Sequence, residues 1–487
     1  MNHKTHQEIT APKQMTMTSN SNWSSVPIQM AGLGTATIDW GDGTPCETVT
    51  LLPFHPEDTF VEFWVEENFE LKYGYRHAYS NDSPHHITVT GENITHLDCN
   101  GICLSDLDVR KNPALTYLDC GNNWLKSLDV SRNYALTYLC CWNNGLKSLD
   151  VSRNTALTYL SCLFNILSNL DISRNSALTM LKCEINQIRH LDVRKNTALR
   201  VLVCDWNLLT DIDISANTEL RCLSCGKNLL TDLDVSKNIE LTELDVSNHT
   251  HPSKTEFGNN QLISLDVSNH TALKELHCTG NLLTSLNING CTALEELDCS
   301  ENFLKNLDVS GCTALTYLDC RNNKLTNLNL SNNLALEKLY GYDNQLQADA
   351  LNDLFGRLPV CERIEGLIDI SINPGINTCN ITIAENRGWT ILTPKTLTSL
   401  PSGIVTIYVR GHGAMTVDWG NGTRETYKLW TFGDTFSHTY GYDDSPRTIT
   451  VAGKNIMQLY AMVSTTEQLH EFSEMEVNKD ERGECPF

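Results

Sequence analysis

The chain has 487 residues, with 36 basic against 59 acidic side chains and a formal charge of −23. That length exceeds what one hydrophobic core serves, so several domains or a repeat array are expected. A surface this acidic repels phosphate backbones and anionic lipid, which argues against nucleic acid, and no apolar run reaches the roughly 18 residues of a membrane span.

The N-terminal stretch Met1 to Ser25 is polar. It has neither the apolar core of a secretory leader nor a lipid-attachment cysteine, so no signal peptide is read here. Residues 1–24 are expected to be disordered. Segment 25–93 follows, with TATIDWGDGT from Thr35 to Thr44, HAY at His77 to Tyr79 and HITVTGENITHL from His86. Short β-branched runs separated by Gly-Asp turns predict antiparallel strands.

From Ile94 the chain repeats every 21 residues. ITHLDC is followed by LTYLDC from Leu115, LTYLCC from Leu136 and LTYLSC from Leu157, and the series ends at LEKLYG from Leu336. Twelve copies fill 94–346, with one insertion near 249–259 where the spacing stretches to 32. A period of this kind marks a solenoid whose coils bury their leucines only by stacking. In each copy Leu118 and Cys120, or their equivalents, point inward, and Tyr117 and Asp119 point to the concave face. An asparagine follows: Asn123, Asn144, Asn165, Asn186, Asn207, Asn228, Asn281, Asn302, Asn323 and Asn344. Its amide is suited to satisfy backbone groups of its own coil and the next. The pattern LxxLxCxxNxL resembles the leucine-rich-repeat family, and more narrowly the short bacterial repeats of the internalin kind. The resemblance implies a right-handed α/β-type leucine-rich-repeat solenoid with a parallel sheet on its concave face and few helices.

Ten of the nineteen cysteines occupy one rung: Cys99, Cys120, Cys141, Cys162, Cys183, Cys204, Cys225, Cys278, Cys299 and Cys320. Val246 takes that rung in the irregular copy, so the position wants a small apolar side chain, and a free thiol behaves as one. These cysteines are read as core rather than as disulfides or metal ligands. Cys291 and Cys312 lie one period apart in the other half of the coil, close enough in principle for a disulfide.

In 347–395, ALNDLFGRLP has helical spacing ended by Pro359, GLIDI reads as a strand, and ITIAENRGWTIL as a last helix and strand. This resembles the C-terminal cap of secreted leucine-rich-repeat proteins from Bacteroidetes-type bacteria. Segment 396–461 repeats the first: AMTVDWGNGT from Ala414 to Thr423, HTY at His438 to Tyr440 and RTITVAGKNIMQL from Arg447. The shared DWGDGT…HxY…TVxG pattern resembles the PKD-type, immunoglobulin-like β-sandwich of extracellular bacterial proteins, which implies an exported or cell-surface location. The tail 462–487 is charged and expected to be disordered. NIMQLYAMVS begins as the first copy does and then the repeat fails, which fits either a lost second array or a truncated chain.

No phosphate loop, nucleophile elbow or HExxH motif is present, so no enzyme, cofactor or metal site is expected. Asp39, Asp42 and Asp418 could be calcium ligands, but Asx residues in Gly-rich turns usually bond their own backbone. The aspartate row Asp108 to Asp308 has the same turn-capping explanation. His249, His251 and His277 lack a third ligand in register. The expected binding residues are Tyr117, Tyr138, Tyr159, Trp142, Phe164, Met180, Val201, Trp206 and Tyr317, because solvent-facing aromatic rows mark recognition surfaces. Tyrosines packing on one another to stiffen the sheet is the competing explanation. The sequence therefore points to a monomeric, non-enzymatic module binding a protein ligand through its concave face. A carbohydrate-binding adhesin and a structural spacer are the alternatives.

Overall fold

A computed structural model describes residues 13–20, 26–54, 73–80, 83–248, 258–361, 366–371 and 373–391 with their side chains, and beyond them the backbone of strands up to residue 470. The chain starts with β1 (Gln14–Ser19), β2 (Val26–Asp39), β3 (Glu47–Leu51), β4 (Gly74–His77), β5 (His85–Asp98) and β6 (Leu104–Asp108). Strand β2 pairs antiparallel with β3, β4 and β5, and β1 bridges β5 and β6. Strand β1 lies inside the segment 1–24 expected to be disordered and gives its residues 14–19 regular structure. Met15 and Met17 alternate with Thr16 and Thr18 and are buried in the core, a period-two pattern that the polar composition of the segment obscures.

Strand β5 crosses the expected boundary at 93/94 without a break. Its residues 96–98 pair in parallel with 117–119 and so form the first rung of the array. Eleven further three-residue strands follow, from Tyr117–Asp119 to Lys338–Tyr340, joined in parallel and mostly one period apart. Each leucine at a strand centre is buried, and so is each of the ten ladder cysteines. Those thiols are free.

The asparagine amide joins the coils. Asn123 Nδ2 donates to the carbonyls of Cys99, Cys120 and Gly121 at 2.9–3.1 Å, and its Oδ1 accepts from Leu104 N at 2.8 Å. One side chain thus holds the turn of its own coil and two backbone groups of the coil before. The other nine named asparagines repeat the pattern. Two rungs were not foreseen. Asn260 supplies the one displaced by the insertion, bonding Cys225 O and Leu230 N, and Asn373 supplies one in the cap, bonding Gly341 O and Leu346 N.

A second ladder runs along the opposite side of the coil. Asn133 Nδ2 donates to Val109 O and Asn112 O at 2.9 and 2.8 Å, and Asn154, Asn175, Asn196, Asn217, Asn238 and Asn333 do the same in their coils. His270, Cys291 and Cys312 occupy this rung in the coils between. Cys291 Sγ donates to Val267 O at 3.1 Å, in place of an amide. Both Cys291 and Cys312 are free.

After the array, α1 (Ala348–Arg357) buries Leu351, Leu354 and Phe355. Strands Gly366–Asp369 and Trp389–Leu392 flank α2 (Thr382–Glu385) and extend the parallel sheet by two members. The strands between Thr396 and Ser464 then repeat the main pairings of the N-terminal unit in the same register. Asp418 lies opposite Thr450 as Asp39 lies opposite Thr88, and Gly411 meets Ile456 after a register shift as Gly32 meets Ile94. The duplication seen in the sequence is therefore a duplication of β topology.

Replacing one ladder asparagine strands buried backbone groups, and each such loss costs about 1–3 kcal/mol. Asn186→Ala is expected to lower the unfolding free energy by at least that amount in urea titrations. Cys162→Val, which installs the residue found at position 246, should cost less than about 1.5 kcal/mol. A Cys162→Val variant less stable than Asn186→Ala would contradict both assignments.

Candidate functional site

The carboxylates that could have held metal are engaged by the protein itself. Asp39 Oδ1 accepts from Gly41 N, and Asp42 Oδ1 accepts from Thr44 N and Oγ1. The other Asp42 oxygen sits 2.7 Å from His77 Nε2. Thr44 and His77 together hold the Asp42 carboxyl far below the usual carboxylate range. The His77 ring stacks on buried Trp40 at 5.1 Å, and Tyr79 OH donates to Trp40 O. The DWGDGT…HxY pattern is thus a turn locked to a core tryptophan. The convex aspartates behave likewise: Asp129, Asp150, Asp171 and their equivalents accept from the backbone N–H two residues on. His249, His251, Asn421 and the side chain of Asp418 lie outside the described residues. Among the described residues, no group of three His, Cys, Asp or Glu side chains is placed to hold a metal ion.

The concave face is built from the outward residues of the short strands. Tyr117, Tyr138, Tyr159, Met180 and Val201 follow one another in strict register, which brings these five predicted residues into one continuous row. The three tyrosine rings stack at 4.2 Å with 7° between their planes. The stack extends upstream through His96 and Phe54, with centroids 5.6 Å from Tyr117 to His96 and 4.4 Å from His96 to Phe54. His96 holds the tyrosine position of the first copy and could have been read from it. Phe54 comes from a loop and carries no such signal. Burial lowers the His96 pKa to about 4 and raises those of the tyrosines, Tyr159 to about 12, so the whole row is uncharged at neutral pH. Stacking covers both faces of Tyr117 and of Tyr138, so neither ring offers an open face on which a sugar ring could stack. Tyr317 stands apart: four strands lie between it and Val201, a distance of about 24 Å over five strand spacings, and it tilts against Tyr340.

Trp142, Phe164 and Trp206 lie beside this row, in the loops that leave the strands. The Trp142 indole rests against Gly121, in space that a Cβ there would need. Phe164 and Trp206 occupy a position that the backbone crosses in the left-handed region just before each ladder asparagine. Gly101, Asn122, Asn143, Gly280, Asn322 and Asp343 fill it in other coils, and so do Lys227 and Glu301. Phe164, Ile185 and Trp206 fill it in three consecutive coils, at φ 57°, 55° and 53°. That conformation costs a residue with a Cβ about 1–2 kcal/mol, and it is least tolerated by β-branched or bulky residues. Phe164 is 41 % exposed and the other two are half-buried, with Lys227 Nζ 5.5 Å from the centroid of the Trp206 ring.

Buried carboxyls lie alongside, Asp98 and Asp319 in the next strand row and Glu184 at the loop position that Trp142 holds. Glu184 is shut from solvent, which raises its pKa to about 7. Burial, then the neighbouring Asp119, pushes Asp98 up; burial, then Asp298, does the same for Asp319. A carboxyl whose folded pKa is raised favours the protonated fold. Its contribution is fully present below the unfolded value and is lost as pH rises through the folded value, about 7 for Glu184. The melting temperature is therefore expected to rise as the solution goes from about pH 8.5 to about pH 5, and Glu184→Gln should flatten that rise. A melting temperature that falls over this interval would exclude these groups as the controlling ones.

No family model matches the sequence, and no curated protein is similar to it. Solved structures do resemble it. The functional domain of the internalin InlJ from Listeria monocytogenes, described as including a cysteine ladder, is 26% identical, with 72% of this chain and 91% of that one covered at a TM-score of 0.42. The internalin InlF from the same organism is 19% identical over 62% of this chain and 87% of that one, at a TM-score of 0.53. A leucine-rich-repeat protein of Leptospira interrogans is 22% identical over 58% and 74%, at 0.48. The likeness to InlF, together with the parallel strands and asparagine ladder, gives the fold: a leucine-rich-repeat solenoid with few helices.

Proposed function

We propose that this protein is a non-enzymatic binding module that takes a protein ligand on the N-terminal half of its concave face. The observation that carries the reading is the uncharged row from Phe54 to Val201, bordered by Trp142, Phe164 and Trp206. Aromatic side chains on a rigid scaffold lose little entropy on binding and dominate the energetics of protein interfaces. The occupied faces of the tyrosine stack favour a protein over a glycan.

The finer reading is of an adhesion or interaction protein at the cell surface or outside the cell, with the duplicated β units as PKD-like sandwiches. Support comes from the shared DWGDGT or DWGNGT pattern and the matching registers of the two units. Among the described residues, no helix is long and apolar enough to cross a membrane.

Tyr138→Ala and Trp142→Ala, each compared with the wild type on protein and glycan arrays, test the proposal. A protein ligand whose Kd rises tenfold or more, about 1.4 kcal/mol, supports it. Retained protein binding in both variants would move the site elsewhere, and the absence of any ligand would favour a spacer.

A further inference from the structure

We infer that the anchoring point of the concave face is the loop ridge Phe164–Ile185–Trp206, and that its occupant is a polypeptide segment with apolar side chains next to a run of lysine or arginine. The inference rests on the concave-face reading and narrows it to one edge and one partner chemistry.

The ridge is not what the coil requires. Asn122 and Asn143 follow the same left-handed path immediately upstream, and Gly280, Asn322 and Asp343 follow it downstream, with residue types that tolerate it, while Lys227 and Glu301 hold it with long charged side chains. In three successive coils the chain instead holds a phenylalanine, an isoleucine and a tryptophan there, where none is fully buried. Side chains that are strained, apolar and accessible at once are poor folding choices, and such positions gather at ligand-contacting sites. Successive strands of the sheet are about 4.8 Å apart, so the three side chains present about 10 Å of apolar edge. Leu163, Trp142, Met180 and Val201 continue that surface onto the sheet.

Charge gives the direction of the occupant. Residues 101–210 carry twelve basic and nine acidic side chains, whereas residues 211–347 carry nine basic and nineteen acidic. On the concave face itself Glu243, Glu275 and Glu296 stand in register on successive strands, with Asp245 and Asp298 in the adjacent row. Like charges stacked in this way repel, and a cationic segment laid along them relieves the repulsion. An extended segment anchored at Trp206 enters this acidic face as it runs toward the C-terminal coils. A second copy of the chain does not fit, because its longest basic runs are the pairs Arg110-Lys111 and Arg194-Lys195.

The test uses the full chain and three fluorescein-labelled synthetic peptides: a leucine and phenylalanine stretch followed by four lysines, the same stretch followed by four glutamates, and four lysines after a glycine-serine stretch. Wild type is expected to bind the first at least tenfold more tightly than the other two. The triple variant Phe164→Asn/Ile185→Asn/Trp206→Asn should lose at least tenfold in affinity while its melting temperature holds or rises, since asparagine accepts the left-handed backbone. Glu243→Gln/Glu296→Gln should weaken the same peptide at least threefold and reduce its salt dependence. Equal binding of the glutamate peptide, or no binding of any peptide by the wild type, overturns the partner chemistry. A triple variant that binds as wild type does, or melts lower, overturns the ridge. If Tyr138→Ala weakens the peptide while the triple variant does not, the concave face stands and the ridge alone fails.

Discussion

In ten coils one asparagine amide closes four hydrogen bonds, as at Asn123, three given by Nδ2 and one received by Oδ1, and two of the four reach into the coil before. The turn it serves has too few backbone partners of its own, so without the amide the chain could not leave the strand and stay dry. Everything on the concave face depends on this joint. It fixes where each strand ends, and hence that Tyr117, Tyr138 and Tyr159 arrive in register. It also fixes the left-handed step before it, which presents Phe164, Ile185 and Trp206 at the rim. The cysteine rung is complementary: a small, apolar, free thiol fills the interior behind the amide without competing for its acceptors.

The array was legible because its period is written in leucine, cysteine and asparagine at fixed offsets, and a solenoid converts such offsets directly into neighbours. The same reasoning missed what lies off the period. Asn260 was hidden by the insertion before it, although Asn-Gln-Leu keeps the local pattern. The second ladder was visible in DVSxN but had no assigned role, so a disulfide between Cys291 and Cys312 stayed open when both stand in for asparagine. Strand β1 was hidden by threonine and glutamine, whose polarity masks a clean alternation of buried methionines.

The site was legible in part. Row membership follows from the repeat, and the structure brings Tyr117 through Val201 together, with Trp142, Phe164 and Trp206 beside them. It leaves Tyr317 some coils away, because equal position in the repeat means the same row but not the same place along it. Whether aligned tyrosines stack or splay depends on ring torsions that no sequence states. The stacking proposed as a purely stiffening arrangement is present, and an uncharged surface remains along its edges. Backbone conformation was the least accessible quantity: only comparison with the asparagines in sister coils shows that Phe164, Ile185 and Trp206 sit in a costly one.

The uninterrupted passage of β5 from the N-terminal unit into the first rung has a mechanical consequence. A load carried along that strand passes from the N-terminal unit into the first rung within one strand. Tension enters the solenoid through the antiparallel β2–β5 ladder, whose bonds lie across the strands and are loaded together in shear. Beyond it, the three-residue rungs can be peeled one at a time. The N-terminal unit and the first rung thus share one strand, and the tyrosine row begins on the rung next to that junction.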